Sequence, residues 1–136
     1  SGGIGFRGHI PERDGILAGL LLCEMRAVMK KPVSEIVKEL ECRTGGHFYY
    51  TRHDFHLTHE KKEKFLERIN NHPFKKIAGL PVSKYDRYDG HKFTLENGDW
   101  IMFRASGTEP LLRVYAESGS RKILKTLMRE GTSYVC

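Results

Sequence analysis

The sequence predicts an α+β protein, and two hydrophobic patterns carry that prediction. Apolar residues recur at helical spacing in four segments, at about residues 16–29, 36–40, 65–69 and 123–128. From Val82 onward they alternate instead, and Asp89-Gly90 and Asn97-Gly98 are typical of tight turns between antiparallel strands. We therefore expect a C-terminal domain with a four- to five-stranded, mainly antiparallel sheet covered on one side by two helices.

Two helices precede that domain. The first begins after Gly15 and runs to about Lys31, and Pro32 is well placed to open the second. Thr44-Gly45-Gly46 ends the second helix, so we expect residues 1–43 to be the C-terminal remnant of an α/β domain and residues 44–136 to be a separate domain. The first helix has a broad apolar face with no strand before residue 43 to cover it. We expect the chain to be part of a longer protein, and the isolated chain to associate with itself through residues 13–31.

The second domain begins with a strand at about residues 47–56 and a helix that Thr58 caps and that runs through Asn70. Three strands at about 84–88, 91–96 and 99–104 follow as a meander, with a returning strand near 112–116 and a terminal helix after Ser118-Gly119-Ser120. Alternation places Ile101 and Phe103 on one face of their strand and Trp100, Met102 and Arg104 on the other.

Composition excludes some classes of protein. The 136 residues are 39% hydrophobic and 29% charged, which indicates an ordinary globular chain, and the net charge of +6 comes mostly from residues 44–136. Three cysteines without a Cys-x-x-Cys pair argue against a disulfide framework and suit a cytoplasmic location, and Cys23 lies in an apolar run typical of a core. That run, 16–23, is too short to span a bilayer, so we expect no membrane partner.

The strongest functional signal is the loop at residues 105–110, here called the anion loop, with an arginine near each end. Gly107 allows the backbone to turn so that neighbouring N–H groups can point at one ligand, while Ser106 and Thr108 add hydroxyl groups. Arg104 and Arg113 add planar donor forks suited to phosphate. A plain turn between two strands is the alternative, but such a turn needs no cation at each end.

Two segments resemble the α-D-phosphohexomutases, the phosphoglucomutase/phosphomannomutase superfamily. The first is Arg104-Ala105-Ser106-Gly107-Thr108-Glu109-Pro110 with Arg113-Val114-Tyr115-Ala116-Glu117, which is similar to the phosphate-binding segment of the family's last domain. The second is Ser1-Gly2-Gly3 with His9-Ile10-Pro11-Glu12-Arg13-Asp14-Gly15, which resembles the end of the sugar-binding loop of the third domain and the segment after it. The resemblance covers essentially the whole chain and implies a TBP-like fold for the last domain.

The resemblance implies an enzyme that moves a phosphoryl group between O1 and O6 of a hexose phosphate. The family uses a phosphorylated serine, a Mg²⁺ ion on an Asp-rich loop, and a bisphosphorylated sugar of the glucose 1,6-bisphosphate type as intermediate and activator. Neither the serine loop nor the metal loop is in this sequence, so we expect no metal ligands here, no turnover by this chain alone, and the remaining domains as partners.

Residue roles also follow from the resemblance. The phosphate-holding residues are expected to be Arg104, Ser106, Gly107, Thr108 and Arg113. His9 and Arg13 are candidates for charge stabilisation or proton handling, and Ser1 for a sugar contact. Family members often have Lys where Arg13 stands and some have His where Gly3 stands, which puts proton transfer by Arg13 in doubt.

Other interpretations stay open at this point. His9 is also typical of a surface residue before a helix, and His53, His56 and His59 are badly spaced for a metal site. The positive charge, with Tyr85, Tyr88, Phe93 and Trp100 near a sheet, also fits a nucleic-acid-binding α+β module, although a meander usually packs such aromatics into its core. A non-catalytic interaction domain is a further alternative.

Overall fold

The computed structural model describes residues 3–135. They divide into two compact units, one ending at Gly46 and one beginning at His47. Each unit is described by itself.

The first unit contains two helices, α1 (Gly15–Met29) and α2 (Val33–Thr44). Asp14 caps α1, because its carboxylate accepts a hydrogen bond of 2.9 Å from the Leu17 backbone N–H. The helix ends where Lys30 turns left-handed, with φ at 52°. Gly45 ends α2 in the same way, as Thr44-Gly45-Gly46 predicted.

The first unit buries little apolar surface. No residue of either helix is buried, and Ile16, Val28 and Leu20 are 81%, 74% and 64% exposed. Cys23 is exposed as well, so its interpretation as a core residue was wrong. The reason is that two helices alone supply no layer to pack over the apolar face of α1.

The second unit is a six-stranded antiparallel sheet with two helices. Its elements in chain order are β1 (Tyr49–His56), α3 (His59–Asn71), β2 (Lys76–Ile77), β3 (Leu80–Asp86), β4 (His91–Leu95), β5 (Trp100–Ala105), β6 (Leu111–Ser118) and α4 (Arg121–Val135). The strand order is β1-β6-β5-β4-β3-β2. The predicted α+β class is confirmed, with one strand more than expected.

The additional strand is β2, which has two residues. It pairs with β3 through a tight turn at Ala78 and Gly79, where both residues have positive φ, at 51° and 78°. Alanine is rare in that conformation, and its N–H here donates a 2.7 Å hydrogen bond to the Glu130 carboxylate. An Ala-Gly pair is a weak turn signal, which explains why the sequence pattern missed this hairpin.

Both helices pack on one face of the sheet and form the core with it. Ile101 and Phe103 are fully buried on that face, whereas Trp100, Met102 and Arg104 are partly exposed on the other, as the alternation predicted. Phe65 of α3 contacts Phe103 at a ring distance of 5.4 Å. The sheet therefore has a helix-covered face and an opposite face, and Arg104 lies on the opposite one.

The connection between β3 and β4 is longer than the predicted two-residue turn. Strand β3 stops at Asp86, whose carboxylate accepts a 2.8 Å hydrogen bond from the Tyr88 N–H, and four residues precede β4. Gly90 closes this connection against β5: a Cβ at Gly90 would lie 2.6 Å from the Phe103 carbonyl oxygen. That close approach brings Asp89 next to Arg104.

Candidate functional site

The anion loop joins β5 to β6, so the two strands bring the flanking arginines together. Arg104 and Arg113 are directly paired in the antiparallel ladder. Residues paired in this way have Cβ atoms about 5 Å apart on the same face of the sheet. The neighbours Phe103 and Leu112 are fully buried under the helices, so both arginines lie on the opposite face.

Each arginine contacts carboxylates. Arg104 Nη2 lies 3.2 Å from Asp89 Oδ1, and Arg113 contacts Asp54 at 3.7 Å and Glu109 at 3.6 Å. Long ion pairs at the surface contribute about 0–1 kcal/mol each. An incoming dianion would therefore compete with weak partners for the two guanidinium groups.

Hydrogen bonds inside the anion loop leave two backbone donors unused. Ser106 N–H donates to Leu111 O at 2.8 Å, and Glu109 N–H donates to Ser106 Oγ at 3.2 Å. Within residues 3–135 the N–H groups of Gly107 and Thr108 have no acceptor, and both residues are exposed. Adjacent unpaired N–H groups at a turn form an anion-binding concavity.

Gly107 is not needed for the turn itself, contrary to expectation. Its backbone is not in the left-handed region, and a Cβ there would meet no atom within 4 Å. Folding therefore does not require glycine at this position. The absence of a side chain leaves the backbone at this position open to close approach from outside the loop.

Lys62 lies under the anion loop, a position that the sequence pattern did not predict. Its side chain comes from α3, is 8% exposed, and donates hydrogen bonds to Ser106 O at 3.0 Å and Glu109 O at 3.4 Å. The helical spacing could have indicated burial of Lys62, because this residue stands three positions before Phe65 and seven before Ile69, on the apolar side of α3. Two adjacent lysines are usually solvated, which hides this pattern.

In the first unit His9 and Asp14 contact each other. His9 Nε2 lies 3.0 Å from Asp14 Oδ2, so the His9 ring is held by the same carboxylate that caps α1. The hydrogen bond from the Leu17 N–H, followed by the one with His9, holds the pKa of the Asp14 carboxyl below its usual value.

Arg13 lies across Gly3. A Cβ at residue 3 would be 2.1 Å from Arg13 Cδ, so a larger residue at that position would clash with the arginine stem. Ser1, the predicted sugar contact, lies outside the described residues.

The aromatic residues that suggested base stacking do not share a surface. Phe93 is fully buried and Tyr85 packs against it at a ring distance of 4.5 Å, whereas Tyr88 is 99% exposed. Trp100 lies on the opposite face, where Lys92 Nζ is 4.2 Å from its ring centre. These positions match core and cross-strand packing, not a continuous platform.

The described part of the chain contains neither a group of three or more metal-ligating His, Cys, Asp or Glu side chains nor a helix able to cross a membrane.

Two family models match the chain. The model described as phosphoglucomutase/phosphomannomutase, C-terminal domain, matches residues 59–131, and the one described as alpha/beta/alpha domain III of the same family matches residues 1–43. Among curated proteins, the chain is 33% identical over 122 residues to a phosphoglucosamine mutase of Methanocaldococcus jannaschii, and this alignment covers 90% of the chain and 25% of the relative. It is 36% identical over 116 residues to a probable phosphoglucosamine mutase of Thermococcus kodakarensis, covering 85% of the chain and 23% of the relative. The chain thus spans about a quarter of the length of these relatives.

Proposed function

Because this chain belongs to the phosphoglucomutase/phosphomannomutase family, we propose that its second unit holds a phosphate group of a hexose phosphate. The proposed contacts are Arg104, Ser106, Gly107, Thr108 and Arg113. One observation carries the proposal. Arg104 and Arg113 are paired at the base of a loop, and the backbone N–H groups of Gly107 and Thr108 in that loop are unused. Guanidinium forks and backbone N–H groups together are typical phosphate ligands.

The reaction of the parent enzyme would be phosphoryl transfer between O1 and O6 of the sugar. In such a transfer the protein acts mostly through alignment and electrostatic stabilisation. The anion loop would hold the phosphate that is not reacting while the other end of the sugar faces a phosphoserine in another domain. When the bisphosphorylated intermediate, of the glucose 1,6-bisphosphate type, turns around, the two phosphates would exchange places.

The Mg²⁺ ion of the family would be held by another domain, because residues 3–135 offer no suitable group of ligands. The remaining domains of the same enzyme are therefore the proposed partners, and this chain is proposed to be inactive alone. His9 and Arg13 would act near the reacting phosphate, and Ser1 would contact the sugar. The hydrogen bond to Asp14 would fix the orientation of the His9 ring for that task.

The relatives are called phosphoglucosamine mutases, so an amino-sugar phosphate is a substrate to test beside glucose and mannose phosphates. We also propose a cytoplasmic location for the enzyme. Binding of a small phosphosugar requires neither a membrane nor a nucleic acid as partner.

The test is an NMR titration of the ¹⁵N-labelled chain with glucose 6-phosphate and glucosamine 6-phosphate. We expect saturable shifts at the amides of residues 106–108, and a loss of affinity of at least tenfold in Arg104→Ala and Arg113→Ala. Arg129→Ala, which removes an exposed arginine from α4, is the matched control and should change affinity less than twofold.

Other outcomes of the titration would contradict the proposed phosphate binding. Unchanged amides at residues 106–108, with tight and steeply salt-dependent binding of an oligonucleotide, would favour the nucleic-acid-binding alternative. Saturable phosphosugar binding that both arginine substitutions leave unchanged would contradict the assignment of the phosphate contacts to Arg104 and Arg113. Binding of neither phosphosugar nor oligonucleotide would favour an interaction domain.

A further inference from the structure

We propose that Lys62 is a positioning residue for phosphate binding: from behind the anion loop it orients the peptide whose N–H meets the ligand. The inference rests on the proposed function, since it assigns a role within the same site. It concerns a residue of α3 that does not reach the ligand side of the loop.

Burial makes Lys62 unusual among the lysines of this helix. It is 8% exposed, whereas Lys61 and Lys64 are exposed and Lys64 pairs with Glu60 at 2.6 Å. Within residues 3–135 no carboxylate pairs with Lys62, and its hydrogen-bond acceptors are two carbonyl oxygens of the anion loop. Burying a cation without a counter-charge costs free energy, so the position is unfavourable for stability alone.

The two hydrogen bonds fix the direction of the loop backbone. A trans peptide is planar, with its C=O and N–H on opposite sides. Because the Ser106 carbonyl points at Lys62, the N–H of the same peptide, which is that of Gly107, points away from Lys62. The second carbonyl, that of Glu109, belongs to the peptide with Pro110, which has no N–H. Lys62 therefore holds the loop on both sides of the two unused donors.

The charge of Lys62 also strengthens the donor it orients. A cation bound to a carbonyl polarises that amide and makes its N–H a better donor, and chains of hydrogen bonds reinforce one another in this way. The ammonium group adds a positive potential behind the loop, where water screens it less than it screens Lys61.

The test compares three variants in the full chain by ¹⁵N NMR, with inorganic phosphate and glucose 6-phosphate as probes. Lys62→Met keeps the apolar stem and removes the charge and the donors, and we expect it to weaken binding of both probes at least tenfold and to shift the Gly107 amide in the free chain. Lys62→Arg should recover at least part of the affinity. Lys61→Met removes an equal charge from an exposed neighbour and should change affinity less than twofold.

A merely structural lysine would give a different result. Lys62→Met would then lower the melting temperature while the folded variant bound phosphate with unchanged affinity, and that outcome would overturn the proposal. If the wild-type chain shows no saturable shift at residues 106–108, the proposed function fails, and the role of Lys62 fails with it.

If Lys62→Met does not fold, a phosphate titration of the wild-type chain tests the proposal instead. The proposal requires the Lys62 Cε–Hε signal to move during the phosphate titration with the same midpoint as the Gly107 amide. A Lys62 signal that stays constant while Gly107 saturates would overturn it.

Discussion

Arg104 and Arg113 are like charges at directly opposed positions of one antiparallel ladder. Like charges so placed destabilise a sheet, and the surrounding carboxylates at 3.2–3.7 Å offset this only weakly because the groups are solvated. A phosphate dianion would interact with both arginines at once. Part of the free energy of binding should therefore come from relief of a repulsion built into the unliganded sheet.

Residue chemistry also predicts a pH dependence of stability at His91. This side chain is 8% exposed, with Nδ1 2.6 Å from Tyr85 Oη, and burial first, then the charge of Arg87, lower the pKa of His91 below 6.5. In the unfolded chain His91 takes up a proton at higher pH than in the folded chain. Its contribution to stability is full above about pH 6.5 and is lost as pH falls through the lower, folded-state pKa.

The measurement is urea unfolding of the wild type and of His91→Gln between pH 7.5 and 5. We expect the wild type to be the more stable at pH 7.5 and its advantage to shrink on acidification, by at most about 1.4 kcal/mol per pH unit for one proton. Parallel stability curves for the two proteins would contradict the prediction.

The sequence pattern correctly placed Arg104 and Arg113 beside a loop between two strands, and anion binding by that loop stays a prediction. Gly107 and Lys62 show what the sequence pattern could not predict. The first was assigned to the turn itself, but φ depends on the whole loop and is not left-handed here. Lysine is usually solvated, and burial of Lys62 depends on two carbonyl groups of residues more than forty positions away, which no local pattern indicates.

At the scale of elements, α4 approaches the sheet closely at Gly131. A Cβ there would lie 2.4 Å from Ile101 Cδ1 and 3.3 Å from Phe103 Cζ, and both of these residues are fully buried. The glycine costs helix propensity but permits this approach. The helix and the strand that carries Arg104 are thereby packed directly against each other.

We expect Gly131→Val to destabilise the second unit by about 1–3 kcal/mol, because a packed core accepts added methyl groups poorly. Denaturant unfolding followed by the fluorescence of Trp100 measures this. Lys125→Val introduces the same β-branched residue on the exposed side of α4 and should change the free energy of unfolding by less than about 0.5 kcal/mol. A loss of stability in Gly131→Val no larger than that in Lys125→Val would contradict the prediction.

Helices and strands were predicted correctly where the sequence shows a hydrophobic period or a capping residue. They were missed where a tertiary contact determines the local structure. Thr58 accepts a hydrogen bond from the Lys61 N–H and begins α3 as predicted. Strand β2 depends on Glu130, more than fifty residues away, to stabilise the Ala78 turn, and no local pattern encodes that contact.

At the scale of the whole molecule, the buried core belongs to the second unit. The helices of the first unit contain no buried residue, and α1 exposes Ile16 and Leu20 over most of their surface. Apolar faces of this extent usually contact another protein surface. The relatives are about four times as long as this chain.

We therefore expect the isolated chain to self-associate through residues 13–31. Sedimentation equilibrium should show a concentration-dependent dimer for the wild type and a monomer for the double variant Ile16→Glu, Leu20→Glu. Tyr88→Glu changes a still more exposed aromatic residue in the second unit and should leave association unchanged. A wild-type chain that stays monomeric over the whole concentration range would refute the expectation.

The hydrogen bonds from Lys62 link the anion loop to a helix whose other inward residues, Phe65 and Ile69, lie in the core. In a screen that ranks random variants by phosphosugar affinity, substitutions in that helix would then score beside those of the two arginines. The apparent footprint of the site would extend well beyond the atoms that touch a ligand. Only a parallel ranking of the same variants by thermal stability would separate the two groups.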